Sequence, residues 1–143
     1  MEVQISFRRN PGLKSRTIRR KLEKVLSALG CHDRELSILF TDDSHMARLN
    51  ERYRGKSGPT NVLAFPMGDP DDADPRMMGD VVISTDTAER EARSLGETLE
   101  ETVDRLLVHG LLHLLGFDHE TGATDALRME QEEARVMKLM EED

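Results

Sequence analysis

The sequence predicts an α+β fold, built as a single domain over residues 1–143. Alternating apolar residues near the N-terminus mark strands, and apolar residues at helical spacing separate and follow them. Strand and helix signals mix early, two strands come later, and three helices run in succession to the end, which is the pattern of an α+β chain. A chain of this length is long enough to bury a substantial core.

The elements follow in order. Val3, Ile5 and Phe7 alternate with polar neighbours as in a half-buried strand. After the turn Asn10-Pro11-Gly12, residues 15–29 place Ile18, Leu22, Val25, Leu26 and Leu29 at helical spacing, and Gly30 stops them. Leu36, Ile38 and Phe40 alternate again. Asp42, Asp43 and Ser44 then offer an N-cap to a helix carrying Met46, Leu49 and Tyr53. Val62, Leu63 and Phe65 read as a short strand stopped by Pro66, and Met67 to Met77 as an exposed loop rich in Asp, Pro and Gly.

Val81, Val82 and Ile83 form a buried strand. Ser84 to Asp86 opens a helix in which Asp86 and Glu89 fit an N-terminal signature. Thr98 and Glu101 have capping-box spacing at the start of a long apolar helix. A last helix over 124–140 turns Leu127, Val136, Leu139 and Met140 inward and its acids outward.

Bulk properties narrow the function classes. The net charge of −8 argues against indiscriminate nucleic-acid binding, yet residues 1–30 hold eight Lys or Arg against two acids. That asymmetry suggests one surface for a polyanion and another that repels it, against the simpler reading of a solvated helix face. With one Tyr and no Trp, base stacking is not a major binding mode, and Tyr53 is its sole candidate platform. No apolar run reaches membrane-span length, the N-terminus lacks a signal-peptide core, and Cys31 stands alone. The expectation is a cytoplasmic protein that makes no use of a membrane.

The most informative segment is His109-x3-His113-x2-Gly116-x2-His119. Residues four apart share a helix face, so His109 and His113 can aim at one point. Gly116 allows the helix to end in a left-handed turn, which can return His119 to the same point. Three neutral imidazoles with a fourth position left for water describe a catalytic zinc site for one ion. Metallopeptidases with this spacing need Glu directly after the first His, and here that residue is Gly110. Zinc without that base still lowers the pKa of water to about 7 and polarises phosphoryl oxygens.

Upstream, Arg54 and Lys56 in Tyr53-Arg54-Gly55-Lys56-Ser57-Gly58-Pro59-Thr60-Asn61 are candidate phosphate-binding residues. Arg54 and His113 are the candidate catalytic residues. Asp118 can orient a ligating imidazole or cap a turn, and Asp80 is a cleft acid or a polar residue at a strand start. His32 and His45 read as plain surface histidines.

These motifs together resemble the YbeY family of metal-dependent endoribonucleases, the rRNA maturation factors. The resemblance rests on HGLLHLLGFDH at 109–119, YRGKSGPTNVLAFP at 53–66 and GDVVIS at 79–84, and so spans nearly the whole chain. It implies a zincin-like α+β fold with a mixed four-stranded sheet flanked by helices. It implies one zinc ion held by His109, His113 and His119, and a cleft arginine at Arg54. It further implies cleavage of single-stranded RNA in maturation of the 16S rRNA 3′ terminus and in late 70S ribosome quality control, with the small subunit or the 70S ribosome as partner. Ser57 departs from the family, in which many members carry Asp. A metallopeptidase-like hydrolase and a ribosome-assembly binding factor with a structural metal are the alternatives.

Overall fold

The computed structural model describes residues 2–31, 33–66, 77–117 and 122–141. The expected loop from Met67 falls almost wholly outside them. The elements are β1 (Glu2–Phe7), α1 (Ser15–Ala28), β2 (Glu35–Thr41), α2 (Asp43–Arg54), β3 (Val62–Pro66), β4 (Met77–Ser84), α3 (Thr85–Leu95), α4 (Leu99–Leu114) and α5 (Ala123–Glu141). The α+β reading and the mixed four-stranded sheet are both observed. Strand order is β1-β2-β4-β3, with β1, β2 and β4 parallel and β3 antiparallel to β4 at the edge.

Period-two alternation divides the side chains of the sheet between two layers. Leu36, Ile38, Phe40, Val81 and Ile83 point toward α1, α4 and α5, where they meet Leu22, Leu26, Leu107, Leu111 and Val136 in the main core. The opposite face carries Leu39, Leu63, Phe65 and Val82, covered in part by Met46 and Leu49 of α2.

The helices begin where their caps allow. Asp42 caps α2 by accepting from the His45 N–H at 2.8 Å. On α4, Thr98 accepts from the Glu101 N–H while the Glu101 carboxylate accepts from the Thr98 N–H, at 3.1 and 3.0 Å, closing the expected capping box.

Four sequence expectations are corrected. Strand β4 starts at Met77 rather than near Val81, because Met77, Gly79 and Asp80 pair with β2 on one side and Gly79 and Asp80 also pair with β3 on the other. The cap of α3 is Ser84, whose hydroxyl accepts from the Thr87 N–H; Asp86 and Glu89 instead form ion pairs with Arg9. Leu127 is 54% exposed rather than packed against the body. The acids of α5 do not all face outward: Glu133 is half-buried, on the same stripe as buried Met129, Val136 and Met140.

Candidate active site

The site lies where α4 passes beneath the edge strand β3. Helix α4 ends at Leu114, and Gly116 follows with φ of +96°, the left-handed turn its position predicts. His109 and His113 project from successive turns, with ring centroids 4.7 Å apart and Nε2 atoms 3.2 Å apart. Two nitrogens bound to one tetrahedral zinc at 2.0–2.1 Å lie about 3.3 Å apart, so the pair has the spacing that such an ion requires.

Among the described residues no cluster of three His, Cys, Asp or Glu side chains forms a metal site. The expected third ligand, His119, lies outside them, as does Asp118.

Sequence reasoning missed the partner of His109. Its Nδ1 stands 2.9 Å from Oε1 of Glu133 on α5. A carboxylate accepts, so the Nδ1–H of His109 donates to Glu133 while Nε2 faces His113. This is how a carboxylate fixes the tautomer and aim of a metal-ligating imidazole. The signal was present in the sequence: Glu133 falls four residues after Met129 and three before Val136, on the buried stripe, where a charged group needs a partner.

Both histidines line an open cleft of about 470 Å³, shared with Arg54, Thr60, Asn61 and the backbone side of β3. Arg54 is the last residue of α2, and Gly55 ends that helix in a left-handed conformation with φ of +66°. The loop after it is pinned from below. Asn50, buried in α2, donates from Nδ2 to the Gly58 carbonyl at 2.8 Å. Asn61 accepts from the Val62 N–H and donates to Glu91, which fixes the start of β3. Lys56 is exposed on this loop and does not line the cleft. The structure therefore brings Arg54, His109 and His113 together and leaves Lys56 outside.

Gly110 also borders the cleft, and its backbone sits against the sheet. A Cβ there would lie 2.7 Å from Val81 Cγ1 and 3.1 Å from Val81 Cγ2. A side chain at this position would start into the sheet rather than into the cleft. The glutamate that a peptidase needs has no room here.

The fold and the paired-histidine cleft thus define an α+β protein with two closely spaced imidazoles beside an arginine. The comparisons give its family. A family model described as Endoribonuclease YbeY matches residues 4–141. Endoribonuclease YbeY of Aquifex aeolicus (strain VF5) is 50% identical over 130 residues, covering 87% of this chain and 86% of the relative. That of Geobacter sulfurreducens (strain ATCC 51573 / DSM 12127 / PCA) is 44% identical over 146 residues, covering 99% and 97%. The chain belongs to the YbeY family of endoribonucleases, hydrolases that act on RNA. In fold it is similar to the solution structure of TM1509 from Thermotoga maritima, with a TM-score of 0.69 and 24% identity, covering 96% of this chain and 88% of that one.

Proposed function

We propose that this chain is a zinc-dependent, single-strand-specific endoribonuclease. It matures the 3′ terminus of 16S rRNA and serves late 70S ribosome quality control in the cytoplasm. Its fold is zincin-like, and one domain over residues 1–143 carries the activity. The observation that carries the reading is the 3.2 Å approach of the His109 and His113 Nε2 atoms in the cleft that Arg54 lines. His109, His113 and, by its spacing, His119 would hold the ion. Bound zinc supplies a Lewis acid and an activated water at neutral pH.

The remaining roles belong to the chain itself. Arg54 takes a non-bridging phosphate oxygen with its planar fork and absorbs charge as the phosphorus gains a fifth oxygen. Glu133 would hold His109 by Nδ1, with Nε2 turned toward His113 and the ion. Family membership supports RNA as the substrate, and the packing of Gly110 removes support from the peptidase alternative.

The test is elemental analysis together with cleavage of a single-stranded RNA, with and without a chelator. Arg54→Ala and His113→Ala are purified in parallel to exclude a contaminating nuclease. Arg54→Ala should keep its zinc and melting temperature while cleavage falls by about 10²–10³-fold. His113→Ala should lose both zinc and cleavage. Equal cleavage by the wild type and Arg54→Ala would remove the arginine from the mechanism. Full activity after chelation would remove the metal.

A further inference from the structure

A second groove, of about 520 Å³, lies on the opposite face of the sheet, where α2 leaves the strands half covered. That volume is within the range of about 300–1,000 Å³ seen for small-ligand pockets. Its wall includes Tyr53, Phe65, His45 and Asp80. Tyr53 is 57% exposed, an unusual position for an aromatic side chain on an otherwise buried stripe. Its ring is nevertheless held. Phe65 meets it edge-on with centroids 5.1 Å apart, and the Arg52 guanidinium lies 5.4 Å from its centre. Such a ring is a preorganised platform rather than a loose side chain.

Charge gives the groove a direction. Arg48 and Arg52 are exposed on α2, the helix that lends His45, Leu49 and Tyr53 to the wall, and the Arg52 guanidinium stands at the Tyr53 ring. Inside, Asp80 stands directly across the strands from Phe65, and its side chain has no hydrogen bond or ion pair among the described residues. A phosphate would meet Arg52 at the rim and be repelled by Asp80 within, whereas the face of a base carries no charge. Tyr53 is also the neighbour of Arg54 at the end of α2, and β3 contributes to both grooves.

We propose that this groove is a base-stacking subsite, in which a nucleobase of the RNA strand engaged by Arg54 lies against the Tyr53 ring. This rests on the endoribonuclease reading above. Stacking on one aromatic tolerates any sequence but requires a base that is free of its complement, so the subsite favours single strands over duplexes.

The chain has one Tyr and no Trp, so its tyrosine emission reports this position alone. Octacytidylate mixed with the zinc-loaded protein should quench that emission before the first turnover. Inorganic polyphosphate, which has the charge without the bases, should not. Tyr53→Ala should raise KM about ten-fold with kcat within about two-fold, and Tyr53→Phe should restore the wild-type KM. Equal quenching by polyphosphate overturns stacking. So does RNA cleavage with an unchanged KM in Tyr53→Ala. A protein that neither binds nor cuts octacytidylate overturns the endoribonuclease reading itself, which the other two outcomes leave intact.

Discussion

His109 makes sense only with the residue behind it. Its two nitrogens face different partners: Nδ1 meets Glu133 and Nε2 meets His113. Removing the carboxylate frees the ring to rotate or to change tautomer. Partners of this kind are typically worth 10–100-fold in metal affinity. Glu133→Ala is therefore expected to weaken zinc binding by about that factor, measured by calorimetric titration with zinc and a competing chelator. Its melting temperature without zinc should stay near that of the wild type, because Glu133 is only half-buried. Unchanged zinc affinity would reduce the contact to a half-exposed hydrogen bond with no bearing on the metal.

At the scale of the element, α4 does two things at once: it closes the core and presents the histidines. It reaches the sheet closely because position 110 has no side chain. Gly110→Ala would bring a methyl group within 2.7 Å of Val81, a branched side chain held between strands. Overpacking of this kind typically costs about 1–3 kcal/mol. The variant should unfold at correspondingly lower denaturant, and cleavage should fall further as His109 and His113 lift with the helix. A variant as stable as the wild type would show that the sheet yields easily. Most of α4 was legible in advance, because its capping box, apolar faces, histidine spacing and terminal Gly are all local signals. What stayed hidden was relational. The start of β4 depends on pairing with two other strands, and the exposure of Leu127 depends on where α5 settles. Glu133 was read as solvent-facing by its charge although its stripe position pointed inward, and Lys56 looked like a partner of Arg54 only along the chain.

Across the whole molecule, two carboxylates tie helices together with opposite dependence on pH. Asp43, at the start of α2, accepts from the Ser84 and Thr87 hydroxyls at 2.6 and 2.7 Å and pairs with Arg90 at 2.8 Å, joining α2 to β4 and α3. Burial pushes its carboxyl up, but those hydroxyl donors and Arg90 together outweigh it and hold it below the usual range. Its contribution to stability is present above the unfolded value of 3.8 and is lost as pH falls through the lower folded value. Asp104, on α4, pairs with Lys21 of α1 at 2.8 Å. There burial prevails over Lys21, and the carboxyl is raised. The folded state then holds that proton more tightly than the unfolded one, so stability declines as pH rises from 3.8 through the raised value. Asp104→Asn should flatten that decline and gain on the wild type at pH 7 relative to pH 4, with Lys21 still reaching water. Asp43→Ala should lose about 1–3 kcal/mol at neutral pH by taking the acceptor from the Ser84 and Thr87 hydroxyl donors and the partner from Arg90, and the deficit should shrink in acid. Denaturant midpoints from about pH 3 to pH 7 test both signs together. A deficit for Asp43→Ala that grows in acid, or a pH slope unchanged by Asp104→Asn, would mean that these carboxylates do not set the acid response of the fold.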